Sequence, residues 1–365
     1  MGQDNKDFNS LVAVSINHLY DGMEIQEDVY DADAVHLLVK HGERIDAEII
    51  ERIRKINSGR ETIHVSGNTY RAIMEKLPVI VPDSRRELEE TIGYTTATDV
   101  AFEMLHELSR DQVIKQDALR SVSAELSNRI EVTSQSAILS LINALAPVDE
   151  YLQRHCVNVG LLNGLFGQWL HLPKKDIDGL VLVGLLHDCG KALIPPQVLN
   201  APRKLTVIEF EVVKMHPVYS YDLLSAFPES VRLASRGHHE KVGGAGYPDG
   251  LPPMDIPLIS RITAVSDIYD AMVSQRAYKK PRSPFSVMAV LAGLKNSELD
   301  STLVDVFLRS MPQQLVDKQV VMSDGVIGVI RSFDPADIEY PMIEVDGRVI
   351  KSHENWQCAS MYTTE

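Results

Sequence analysis

Three things are scarce in this sequence: positive charge, cysteine, and long apolar runs. Lysine and arginine number 36 against 51 aspartates and glutamates, giving a formal net charge of −15 at pH 7. That balance argues against general binding to a nucleic-acid polymer or to an anionic membrane, while leaving room for a local basic site that grips a small anion. The cysteines, Cys156, Cys189 and Cys358, are too few and too far apart for a disulfide framework, which suits a reducing compartment. No stretch approaches the roughly 20 apolar residues that a membrane helix needs, so no membrane insertion is expected. The opening MGQDNKDFNSLVAV has neither a basic flank nor a long apolar core, so no signal peptide is expected and the cytoplasm is the expected location. There is no internal repeat and no low-complexity segment.

What is present suffices for a packed core: 44% of the 365 residues are hydrophobic and 24% charged, at a length that suits two or three domains. The patterns predict a mainly α chain with a small N-terminal α/β module and a short C-terminal β segment. VHLLVK (35–40) reads as a strand, RIDAEIIERIRKI (44–56) places Ile45, Ile49, Ile53 and Ile56 on one helical face, and TIHVS (62–66) returns to strand. This module carries no chemical cluster, so a scaffold or dimerisation role outweighs a sensing one. PVIVPDSRRELEE (78–90), with two prolines and a charge run, reads as a linker. Residues 99–146 contain no glycine or proline and repeat apolar residues at helical spacing. Unbroken they would span about 70 Å, so two or more packed helices are expected, and they are the candidate contact for a homodimer. VVMSDGVIGVI (320–330) and MIEVDGRVI (342–350) each set Asp-Gly between apolar runs, a hairpin signature. The expected division is an accessory module at 1–80, a helical linker at 81–145, a helical catalytic domain at 146–315 and a β appendage at 316–365.

Six of the twelve histidines fall between residues 155 and 239. His187 and Asp188 end the apolar run GLVLVGLLHDCGK, where unpaired buried polar groups would be costly. Alone, such a pair is more often a hydrogen-bonded core or capping pair than a metal site; Lys191 stands one turn beyond it. His216 follows in EVVKMHPVYS, and His238 and His239 stand side by side before Glu240 and a glycine-rich loop. Two neighbours on a helix point about 100° apart, so they suit two different ions, or one ion and a substrate. Asp267 and Asp270 lie in LISRITAVSDIYDAM, whose Ile259, Ile262 and Ile268 indicate a buried helix, and His155 opens another in EYLQRHCVNVG. Neutral imidazoles mixed with carboxylates suit iron, manganese or zinc, and the absence of well-placed cysteines disfavours a structural zinc site. Five histidines and two aspartates are too many for one ion and enough for two. A pair bridged by Asp188 would activate a water and clamp a phosphate. Gly243, Gly244, Gly246 and Gly250 let backbone approach a ligand, and Tyr247-Pro248 stiffens the loop. SQRAYKKPRSP gathers Arg276, Lys279, Lys280 and Arg282 around Tyr278. A charge run is usually a solvated face, but its position just after a candidate ligand equally suits a phosphate grip.

Taken in order, HDCGK (187–191), HP (216–217), HHE (238–240), GYPDGL (246–251) and SDIYDAMVSQRAYKKP (266–281) resemble the HD-GYP family of phosphodiesterases, a branch of the HD superfamily of helical metal-dependent phosphohydrolases. The resemblance implies a helical HD-type domain that hydrolyses cyclic di-GMP to linear pGpG or on to GMP, some relatives accepting cyclic GMP-AMP. It implies two divalent metal ions, iron or manganese, on His155, His187, Asp188, His216, His238, His239 and Asp267, with Asp188 bridging. Lys191 would meet the scissile phosphate or assist proton transfer, making it and Asp188 the catalytic pair. Tyr247, Arg276 and Lys279 would hold the substrate's phosphates, with Asp270 placed among the substrate contacts. The loop at 246–251 is the implied contact for signalling proteins.

Two departures bear on these expectations. Three-metal members carry a glutamate four residues before the first histidine; here that residue is Tyr151, and Glu150 is rotated away, so two ions and pGpG as product are expected. The usual H-H-E-x-x-D-G-x-G-Y-P has Gly243 in place of its aspartate, which is expected to loosen the loop or alter recognition without removing a ligand. The alternatives are another nucleotide phosphohydrolase, cyclic GMP-AMP included, and a silent receptor that binds the nucleotide or protein partners without turnover.

Overall fold

The structure is a computed structural model that describes residues 11–361 except 16–18, 20, 32–35, 57–61, 67–68, 70–84, 112–113, 115, 144–150, 202 and 275–281. The N-terminal part runs β1 (Leu11–Ser15), β2 (Val29–Tyr30), β3 (Leu37–Val39), α1 (Ala47–Ile56) and β4 (Thr62–Ser66). β1 pairs antiparallel with β4, and β2 with β3. The helix expected over 44–56 starts at Ala47 because Asp46 accepts from the Ile49 amide at 2.8 Å, a side-chain N-cap. Its buried side is Ile50 and Ile53, with Ile45 just ahead of it, while Ile49 is only half-buried. With Leu19, Met23, Ile25, Ile63 and Val65 these residues form a small apolar core of their own.

The glycine- and proline-free run divides into α3 (Tyr94–Asp111), α4 (Gln116–Val132) and α5 (Gln135–Ile142), preceded by α2 (Arg85–Ile92). Gly93, at φ 73°, separates α2 from α3. Leu108, Leu126, Ile130, Ile138 and Leu141 from these helices share one apolar cluster with the helices that follow. That cluster is centred on the hairpin of α6 (Tyr151–Trp169) and α7 (Lys174–Leu186). Here Gly184 meets Gly160 so closely that a Cβ on Gly184 would lie 2.4 Å from the Gly160 Cα.

A 3₁₀ turn (Cys189–Leu193) leads to α8 (Pro196–Leu199), α9 (Val207–Val213), α10 (His216–Leu223), α11 (Glu229–Gly237), α12 (Leu258–Val273), α13 (Pro284–Gly293) and α14 (Ser301–Ser310). The starts are encoded locally: Thr206 and Glu209 form a capping box on α9, and Ser283 and Asp300 cap α13 and α14. The C-terminal strands β5 (Gln319–Met322), β6 (Ile327–Ser332), β7 (Met342–Val345), β8 (Arg348–Lys351) and β9 (Cys358–Met361) form one antiparallel sheet in the order β8-β7-β6-β5-β9. The Asp-Gly hairpin read in 342–350 is there: Asp346 and Gly347, at φ 50° and 73°, close a two-residue loop between Val345 and Arg348. Val320, Met322, Ile330 and Ile343 continue the helical core. Among the described residues no helix is long and apolar enough to cross a membrane.

Candidate metal centre

Helix ends and helix middles converge on one buried point. α6 brings His155, the end of α7 brings His187 and Asp188, α10 opens with His216, α11 runs into His238 and His239, and α12 brings Asp267. They fall into two sets, Asp188 with His216, His238 and His239, and His155 with His187 and Asp267; within each set the candidate ligand atoms lie within 4.8 Å of one another. Asp188 faces both. Its Oδ1 lies 3.1 Å from His216 Nε2 and 3.7 Å from His238 Nε2. Its Oδ2 lies 3.5 Å from His155 Nε2 and 3.4 Å from His187 Nε2.

The second nitrogen of four of the five rings is held by a partner. His187 Nδ1 lies 2.8 Å from the Gly184 carbonyl, His216 Nδ1 2.7 Å from that of Val213, and His238 Nδ1 2.6 Å from that of Ser235. A carbonyl only accepts, so each Nδ1 carries the proton and each Nε2 presents a lone pair inward. His155 Nδ1 is held the same way by Asp270 Oδ2 at 2.6 Å. Consequently His216 Nε2 and His238 Nε2 point lone pairs at each other across 3.3 Å, an arrangement that calls for a shared cation. His187 Nε2 and Asp188 Oδ1 are buried with no hydrogen-bond partner, which is costly in a protein interior unless a metal takes the place of the missing partner. These residues therefore fit divalent cations.

The electrostatics agree. Burial holds His216 and His238 below the usual histidine pKa, and burial together with His238 holds His239 well below it, so these rings are neutral, as ligands must be. Burial pushes Asp188 up, but Lys191 and the neighbouring His187 and His155 outweigh it and keep the carboxyl well below its ordinary value. Asp267 is likewise pushed up by burial and held well below its ordinary value by its contact with His155. Lys191 Nζ donates to Asp188 Oδ2.

Close backbone approach sets the ligand positions. A Cβ on Gly190 would lie 2.1 Å from the His216 carbonyl, so only glycine lets the turn after Asp188 touch α10. Ser220 fastens the same joint, donating to the His187 carbonyl and accepting from the Gly190 amide, both at 2.9 Å. The loop after the paired histidines hangs from Glu240, buried at 4% exposure, which accepts from the amides of Asp249, Gly250 and Leu251 at 2.7, 3.1 and 2.9 Å. Arg236 clamps Asp249 with two bonds of 2.6 and 2.8 Å. Tyr247 lays its ring 4.7 Å from that of His239 at the rim. Gly243 packs against the segment before α14, where a Cβ would sit 2.4 Å from the Ser297 carbonyl, and Val242 donates to the Glu298 carbonyl at 3.1 Å. The expected loosening at Gly243 is thus not what the structure has: the absent side chain makes room for a tether.

The structure brings together all seven residues expected as ligands, with Lys191 beside them and Tyr247 at the rim. Asp270 needs correction. Expected among the substrate contacts, it is fully buried behind His155, with Oδ2 on the His155 ring and Oδ1 accepting from Asn158 and Ser274; it can hold a ligand in place but not touch a substrate. Arg276 and Lys279 lie outside the described residues. Sequence reading missed Glu240 as the anchor of the loop, although a charged residue between two histidines and a glycine run was the available signal. It also missed Asn158, which no local pattern singles out.

Residues 140–303 match the family model of the HD domain. The chain is 31% identical to the cyclic di-GMP phosphodiesterase PA4108 of Pseudomonas aeruginosa over 284 residues, 74% of this chain and 67% of that protein. It is 33% identical to the cyclic di-GMP phosphodiesterase response regulator RpfG of Xanthomonas campestris over 210 residues, 56% of each. The chain thus spans between about half and two thirds of the length of these curated relatives. An HDG"Y"P protein from Bdellovibrio bacteriovorus, Bd1817, has a similar fold at 17% identity, with a TM-score of 0.53 over 83% of this chain and 100% of that one.

Proposed function

The chain belongs to the HD-GYP family of HD-domain proteins, and on that premise we propose that it hydrolyses a phosphodiester bond of cyclic di-GMP, giving linear pGpG, at a site holding two divalent ions. One observation carries this reading: the two oxygens of Asp188 face two separate sets of ligand atoms, and His155, His187, His216 and His238 all turn Nε2 toward it. Iron or manganese is the metal that the mixed imidazole and carboxylate donors favour. His155, His187 and Asp267 would hold one such ion and His216, His238 and His239 the other, with Asp188 serving both; bound there, the ions would supply positive charge that lowers the pKa of water and offsets the negative charge of a phosphodiester.

The chain's own residues do the rest. Lys191, half-buried and bonded to Asp188, presents a cationic donor at the edge of the centre for a phosphate oxygen. Tyr247 stays a neutral donor because burial pushes its hydroxyl pKa up; with its ring set against that of His239, it positions one face of the nucleotide. Arg276 and Lys279 are assigned to the phosphates by their place after α12. Glu240 keeps the loop's amides out of solution and Tyr247 in register.

The test is to purify the protein anaerobically, count its metal, and follow products from cyclic di-GMP by chromatography. Formation of pGpG with about two ions per chain supports the reading. GMP as the main product would discard the assignment of pGpG, turnover of cyclic GMP-AMP alone would change the substrate, and binding without turnover at full metal occupancy would make the protein a receptor.

A further inference from the structure

The hydrogen bonds behind His155 continue well past the metal centre. Asp270 Oδ2 takes the His155 Nδ1 proton at 2.6 Å, Asp270 Oδ1 accepts from Asn158 Nδ2 at 2.7 Å, and Asn158 Oδ1 accepts from the Tyr94 hydroxyl at 2.7 Å. All four side chains are buried, none more than 5% exposed. The direction of every bond is fixed by chemistry: a carboxylate and an amide oxygen only accept, so neither Asn158 nor His155 can turn over without orphaning a buried group. Asn158 stands one turn beyond His155 on α6, while Tyr94 is the first residue of α3, in a segment that precedes all seven residues of the centre in the chain. The Tyr94 ring lies 5.0 Å beneath the Arg154 guanidinium and forms part of the wall of a cavity of about 310 Å³, with Glu89, Thr98, Asp99 and Phe102.

We propose that Tyr94 is a positioning residue for the metal centre: its hydroxyl fixes the Asn158 amide, which fixes Asp270 and through it the plane of His155, so that affinity for the cation on His155, His187 and Asp267 depends on where α3 lies against α6. The proposal rests on the reading of His155 as a metal ligand. An internal control exists. Tyr269, also buried, donates to Asn143 Oδ1 at the same 2.7 Å, and that bond ends at the C-cap of α5 rather than on the relay.

The experiment titrates MnCl₂ into metal-depleted wild type, Tyr94→Phe and Tyr269→Phe, recording the stoichiometry and Kd of each ion and the thermal midpoint of the metal-free proteins. Wild type is expected to bind about two ions. Tyr94→Phe should weaken one of them by about 3- to 10-fold, below the 10–100-fold typical of a group bonded directly to a ligand, and leave the other unchanged. Tyr269→Phe should lower the midpoint comparably and leave both affinities alone. Asn158→Leu, which severs the relay in the middle, should weaken the same ion as Tyr94→Phe. Equal affinities in wild type and Tyr94→Phe would overturn the proposal, as would equal weakening in the two tyrosine variants, which would mark a general effect of lost packing. Wild type that binds no Mn²⁺ would overturn the metal reading itself, an outcome distinct from either.

Discussion

His187, His216 and His238 each donate Nδ1–H to the carbonyl three residues back, whereas His155 donates to a carboxylate 115 residues away in sequence. The first three rings are oriented by local backbone, His187 and His238 by the helices they follow and His216 by the last residue of α9, so no side-chain substitution removes the anchor. The fourth is oriented only because α6 and α12 pack side by side and because Asn158 holds Asp270 from behind. A ligand anchored by backbone three residues away forms wherever that local segment forms; a ligand anchored across the fold reports on tertiary packing. The two kinds share one centre, which gives it a rigid part and an adjustable part.

The comparison can be broken most severely at Asp188, which serves both sets. Asp188→Ala should lose both ions and about a thousandfold or more in turnover while the helical circular dichroism signal persists; metal retained at full stoichiometry would show that Asp188 does not bridge. Asp270→Asn separates the two kinds of anchor. It should weaken one ion by about 10- to 100-fold and spare the other in a Mn²⁺ titration, and equal weakening of both would erase the distinction drawn here.

Acid sharpens the contrast further. His216, His238 and His239 have folded pKa values below the unfolded value of about 6.5. The native state therefore binds fewer protons than the unfolded one, and stability should fall as pH drops below about 6.5. Asp188 and Asp267, held below their unfolded values, add to the loss once pH falls below about 4. Thermal melts of metal-free protein should hold level from pH 8 to about 6.5 and decline from there to pH 5; a flat profile throughout would mean that these rings titrate alike in the folded and unfolded states. The smallest effect is expected at Ser220, which ties the Gly190 amide to the His187 carbonyl. Ser220→Ala should cost about 1 kcal/mol in urea unfolding without changing metal stoichiometry.

What was legible in the sequence follows the same division. HDCGK stands out because polar residues interrupt an apolar run at a helix end and HHE because two histidines stand side by side, and His187 and His238 in them have local anchors. The Asp346-Gly347 turn was legible for a similar reason: two residues suffice to encode it. Asp270 was misplaced because it lies one turn from Asp267 and sequence alone puts both on one face; the fold places His155 between Asp270 and the centre. Tyr94 and Asn158 were invisible, since their bonds span 64 and 112 residues and neither type is unusual in a helix. Gly243 was read as a lost carboxylate, and only the neighbouring Ser297 carbonyl shows what the missing side chain allows.

At the crossing of α6 and α7, Gly160 and Gly184 leave no side chain between the two backbones. His155 lies five residues before the one glycine and His187 three after the other, so the gap between these two rings is gauged by a hard stop rather than by a cushion of core atoms. The backbones that carry the two rings therefore have a fixed spacing, and what adjustment His155 has lies in the plane of its ring, held by Asp270.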